Sequence, residues 1–149
     1  MKIYTSYFYQ IRFFPPNLIP LSTAAWPPKW YGTPETQSKD KRGVINGLSI
    51  PPFIPGYACH DLCHGNCNPR HPADCSFLRV YYKQLLKLDY NKIMASFEKL
   101  AAAIKEKEGY DDVDFALIVF EPPDKPCSER VMIHKWFEAH DNPIEEWYP

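Results

Sequence analysis

Residues 113–121, VDFALIVFE, carry six apolar side chains in a row, Phe115 to Phe120, between two acids. A strand with one wet face alternates apolar and polar residues; this one does not, so both of its faces need cover. The run is too short for a helix and is rich in β-branched and aromatic residues, which favours a strand. A chain that must cover both faces of one strand is committed to layers. The expected fold is therefore α/β, a single compact layered domain over residues 1–149, with a mainly parallel central sheet flanked by helices.

The rest of the chain supplies those layers. KIYTSYF (2–8) is aromatic and β-branched and reads as a first strand. NLIPLSTAA (17–25) is a second, although Pro20 would be costly at a central, hydrogen-bonded position. Residues 26–43 read as loop, and Asn46-Gly47 between apolar flanks predicts a hairpin turn within 43–50. From Ser76 the period changes to that of a helix, with Phe77, Tyr81, Leu85 and Leu88 on one face. Asp89 can cap a second helix carrying Ile93, Phe97, Leu100 and Ile104, which Gly109 stops. Ser128 is an N-cap for a last helix, 129–139, with Val131, Trp136 and Phe137 toward the core; 144–149 adds a short final strand.

Length and charge narrow the function classes. A chain of 149 residues can bury a full core without staples. A net charge of −1 gives no global field for a nucleic-acid backbone, so nucleic-acid binding would need a local patch. Sixteen prolines against six glycines predict long, stiff connections. The N-terminus lacks the aliphatic run and cleavage site of a secretory signal, and no stretch approaches 18 apolar residues, so no membrane partner is expected. The expected setting is cytoplasmic and reducing, where clustered thiols read as metal-binding or catalytic.

Such a cluster exists. CHDLCHGNCNPRHPADC (59–75) holds Cys59, Cys63, Cys67 and Cys75, with His60, His64 and His71 interleaved. Thiolates and imidazoles are zinc's preferred ligands, and a metal would supply folding energy to a polar loop with little apolar burial. The leading reading is structural zinc on the four cysteines, with a histidine able to replace one of them. An iron–sulfur cluster, disulfides, and cysteines without any ligand role remain alternatives.

A second constellation lies at FEPPDKPCSER (120–130), where the apolar strand ends at Glu121 and a helix starts after Cys127 and Ser128. Ligands of open α/β sheets collect beyond the carboxyl ends of strands. A helix N-terminus favours anions and lowers a nearby thiol's pKa. Cys127 is thus a candidate nucleophile and Glu121 an acid/base or orienting group. Arg130 and Ser128 are candidate anion contacts, with Tyr4, Ser6 and Trp30 lining the pocket. The plainer alternative makes Cys127 a buried small hydrophobe and pairs Arg130 with Glu121 or Asp124. In WPPKWY (26–31), the aromatic residues either stack a base or sugar or pack as a cover on the sheet.

IYTSYF, LSTAAWPPKWYG and ALIVFEPPDKPCSERVMIHKWF, in that order, resemble the bacterial and phage "domain of unknown function 488" family, and DCSFLRVYYKQLLKLDYNKIMASFEKLA resembles the helical section of a divergent branch. The resemblance covers most of the chain and implies a compact α/β fold without a settled reaction. Glu121, Cys127 and Arg130 match the family's signature positions. Ser128-Glu129 stand where the family has one histidine, so an acid or base at that position would be missing here.

Two functions follow as expectations. One is binding of a small polar or anionic, nucleotide-like ligand at the strand ends. The other is a non-catalytic, zinc-stabilised module that docks a protein or single-stranded nucleic acid.

Overall fold

The apolar run forms strand β5 (Asp114–Val119), and it lies inside the sheet. The computed structural model describes residues 1–62, 68 and 70–149. Its main sheet has the order β2-β5-β1-β6, with β1 at Ile3–Tyr7, β2 at Leu18–Ser22 and β6 at Glu145–Glu146. Every pairing in it is parallel, with Phe115 opposite Ile3 on one side and Ile19 on the other.

Strand geometry explains why β5 has no polar face. Phe115, Leu117 and Val119 join one core cluster, while Ala116 and Ile118 join another across the sheet. The first cluster is closed by helices α1 (Ser76–Leu86), α2 (Tyr90–Glu108) and α3 (Glu129–Ala139). Among the described residues the second is closed without an α-helix, by Phe8 and Ile11 of a 3-10 turn, Phe14, Tyr31 and Val44. The expected α/β layering is present, with helices on one face and proline-rich loops on the other. No helix among the described residues is long and apolar enough to cross a membrane.

The local signals act as expected. Asp89 accepts from the Lys92 amide at 3.2 Å, and Gly109 ends α2 at φ 72° with its amide on Lys105 O. Ser128 Oγ accepts from the Arg130 amide at 3.2 Å and starts α3. Pro20 is tolerated because β2 is an edge strand of the main sheet. It shares the outward parity of Ser22, whose backbone bonds Leu48 and Ile50 rather than β5, and its carbonyl accepts from the Tyr31 hydroxyl.

Two expectations need correction. The hairpin of β3 (Ser38–Lys39) and β4 (Ile45–Asn46) turns through Asp40–Gly43, not at Asn46-Gly47. Asp40 Oδ1 accepts from the amides of Arg42 and Val44 at 2.8 and 3.0 Å, and that side-chain closure decides the turn. Gly47 serves a different need: at φ 110°, a Cβ there would stand 2.7 Å from Thr33 O. On α3, the buried stripe is Arg130, Met132, Ile133, Trp136 and Phe137, whereas Val131 is only half-buried. A buried arginine displaced the valine from the expected face.

Candidate functional site

Adjacent parallel strands β2 and β5 end side by side, and Thr23 holds the two exits together. Its amide and hydroxyl both donate to Ile118 O, at 3.0 and 2.9 Å. The chain then leaves β2 through Ala24 to Trp26 and leaves β5 through Phe120 to Glu121. α3 returns to the same end, with Glu129 in its first turn. Between them is a cavity of about 230 Å³, lined by Thr23, Trp26, His60, Phe77, Phe120 and Glu129 among others. Trp26 is 73% exposed at this edge, its ring 5.2 Å from that of His60, and Tyr57 lies 5.6 Å from the same imidazole.

Glu129 is the chemically distinctive wall. Burial pushes its carboxyl up to about 7, the Glu121 charge adds to the rise, and its own helix-start amide and Arg130 oppose it. Desolvation outweighs the helix N-terminus here. Glu121 Oε2 is buried and has no hydrogen-bond partner among the described residues. The two carboxyl groups make this end of the sheet acidic and leave Glu129 able to donate or accept near neutral pH.

Arg130 points elsewhere. Its Nε meets Glu146 Oε1 at 2.5 Å and its second terminal nitrogen meets Oε2 at 3.3 Å, with both side chains under a tenth exposed, at 8% and 9%. Thr5 Oγ1 lies 2.7 Å from Glu146 Oε1 and 2.6 Å from His134 Nε2. One hydroxyl proton cannot serve both, and the carboxylate can only accept, so Nε2 of His134 carries the proton donated to Thr5. Burial and the Arg130 charge lower the His134 pKa. Arg130 and His134, one turn apart, therefore fasten α3 to β1 and β6. The sequence offered Glu121 or Asp124 as partner for Arg130; the partner is Glu146, sixteen positions away.

The remaining candidates are dispersed. Cys127 is disulfide-bonded, which removes the thiolate that a nucleophile needs. Ser128 is spent as the N-cap. Ser6 is buried with its Oγ unpartnered among the described residues, and Tyr4 lies toward the amino end of β1 beside Met1 and Lys2, away from the cavity. Trp30 lines a different cavity on the helix-free face. Of the four cysteines assigned to zinc, Cys59 and Cys75 are buried in the core under the helices; Cys63 and Cys67 lie outside the described residues, as does His64. Burial raises the Cys59 pKa. Among the described residues, no three His, Cys, Asp or Glu side chains are grouped to hold a metal ion.

The residues missed as site components are Glu129, His60, Thr23 and Phe120. An acid in the first turn of a helix that follows a strand end was the available signal for Glu129. Compared with known proteins, the chain matches no family model, and no curated protein or solved structure is significantly similar to it.

Proposed function

We propose that the protein binds a small polar molecule in the cavity at the carboxyl ends of β2 and β5. The observation that carries this is the Glu129 carboxyl lining an otherwise largely apolar cavity at that end of the sheet. Apolar walls with a few convergent polar groups are what ligand sites use, and strand ends of parallel sheets are where they collect. At about 230 Å³ the cavity is smaller than the ~300–1,000 Å³ of sites for drug-sized ligands, so its occupant is small. With Glu121 and Glu129 nearby and Arg130 tied to Glu146, an uncharged or cationic ligand fits this electrostatic setting better than an anion. Trp26 and Phe120 supply ring faces, and Glu129 fixes orientation. If the ligand is turned over, Glu129 is the acid/base, because its pKa lies near neutral.

Calorimetric titration with a panel of small amines, neutral heterocycles and carboxylates tests this. Binding of neutral or cationic members, weakened about tenfold in Trp26→Ala and in Glu129→Gln, is expected. Unchanged affinity in both variants, or binding confined to anions, would refute it.

The docking-module reading draws on one observation of its own: Trp26, Tyr57 and Phe120 are all exposed near this cavity. A macromolecular partner whose binding is lost in Tyr57→Ala, with no small molecule bound, would favour that reading.

A further inference from the structure

Among the described residues, Glu129 is the one carboxyl lining the strand-end cavity. It takes no part in the ion pairs found among them, Lys39–Glu108 and Arg130–Glu146. Its side chain is half-buried rather than sealed, so a group in the cavity can reach it. Glu121 adds negative charge through space, while Glu121 Oε2 itself is closed to contact. A partly desolvated carboxylate of this kind gains most from a cation that arrives with a ligand.

The remaining walls are mostly rings and aliphatic groups. Trp26, Phe77 and Phe120 come from three separate segments and line the same space. The two exposed rings are each braced from the side: Trp26 by the His60 imidazole, and Phe120 by Phe8 with centroids 4.9 Å apart. Apart from Thr23 and His60, the other described side chains lining the cavity are apolar, and the Thr23 hydroxyl already donates to Ile118 O. The cavity therefore combines one carboxylate, several ring faces and few other acceptors.

That combination selects among cations. A divalent metal ion needs several ligands, and no group of three His, Cys, Asp or Glu stands together among the described residues. A primary ammonium brings three N–H donors, more than this lining can satisfy, and a donor stripped of water without a partner is costly. Methylation removes the donors, keeps the charge and presents methyl groups that ring faces attract. We infer that the strand-end cavity holds a methylated, quaternary ammonium group, with Trp26 and Phe120 against its methyls and Glu129 as its counter-charge. This rests on the ligand-binding reading of the same cavity and narrows it to one chemical class. A free choline-like molecule and a trimethylated lysine side chain present the same group.

The test is calorimetric titration of the full chain at pH 8, above the Glu129 pKa of about 7, so that the carboxylate is ionised. The ligands are choline, its neutral isostere 3,3-dimethylbutan-1-ol, ethanolamine, which keeps the charge without the methyl groups, and a peptide carrying one trimethyllysine. Choline should bind saturably and about tenfold more tightly than either the isostere or ethanolamine. Glu129→Gln should abolish choline's advantage over the isostere while leaving the isostere's own affinity within about twofold. Trp26→Leu, which keeps apolar bulk and loses the ring face, should weaken choline about threefold and leave the isostere nearly unchanged. Trp26 is at the surface and glutamine nearly matches glutamate in shape, so both variants keep the fold, and circular dichroism confirms it. A peptide affinity well above that of choline assigns the group to a protein side chain; an equal or weaker one assigns it to a free small molecule. Equal affinity for choline and either comparator, a choline preference that survives Glu129→Gln, or indifference of choline to Trp26→Leu overturns the inference. If neutral heterocycles still bind this cavity in that event, the broader ligand-binding reading stands; if no ligand binds up to about 10 mM, both fall.

Discussion

Removing Glu146 should destabilise this protein far more than removing a surface acid. Its carboxylate is 9% exposed and accepts from Arg130 through two nitrogens and from Thr5 through a third bond. In Glu146→Leu the guanidinium stays buried with no counter-charge, and one of its nitrogens already lacks a partner among the described residues. Breaking a buried pair from one side costs about 3–5 kcal/mol. At this chain length each kcal/mol moves Tm by ~2–4 °C, so a drop of roughly 6–20 °C is expected. Replacing both partners, Arg130→Met with Glu146→Leu, restores a neutral interior and should recover all but ~1–2 kcal/mol. The assay is a double-mutant cycle by urea unfolding, with equal m-values required before the energies are compared. Trp147, whose amide donates to Thr5 O and whose ring packs on Phe14, reports by fluorescence whether β6 detaches on its own. A coupling energy under about 0.5 kcal/mol, with β6 still docked, would refute the claim that this pair fastens α3 to the sheet.

Three further outcomes follow. The folded-state pKa of Glu129 lies at about 7, above its ordinary 4.5, so the folded chain holds the extra proton between those values. Stability should therefore fall as pH rises from about 4.5 to 7 by ~1–3 kcal/mol, and Glu129→Gln should remove that slope and be the more stable form at pH 8. His134, whose pKa is lowered, works in the opposite sense: it loses stability as pH falls through its unfolded value, which is why the comparison with Glu129→Gln is needed to isolate the carboxyl. Alkylation followed by peptide mapping should find Cys127 protected until a reductant is added, and labelling of Cys127 in unreduced native protein would contradict its disulfide. Elemental analysis of the protein after reduction tests zinc in the 59–75 loop: one bound ion per chain supports the four-cysteine reading, and none removes it.

What sequence alone determined here is whatever depends on neighbours in the chain. An unbroken apolar run requires cover on two faces wherever it is placed, so β5 and the layered class were legible from residues 113–121. Caps act over three or four residues, so Asp89, Gly109 and Ser128 marked the helix ends correctly. The hairpin failed as a reading because Asn46-Gly47 is a strong local signal that competes with another one: Asp40 closes a turn with its own side chain. Gly47 is a glycine because of Thr33, a contact that no turn propensity encodes.

Only tertiary structure decided the chemistry. Arg130 could have faced an anion, Glu121 or Asp124, and the choice of Glu146 came from the short strand β6 pairing with β1. Thr5 meets His134 and Glu146 across more than a hundred residues of chain. Glu129 became titratable near neutrality because packing removed water from it and set Glu121 beside it. Trp30 and Asn46, sixteen positions apart, share a cavity because a loop and a hairpin cover the helix-free face together. Hydrophobic pattern and capping are local energies, readable from spacing. Desolvation, ion pairing and cavity walls are made by groups distant in the chain, and they exist only once the layers have closed.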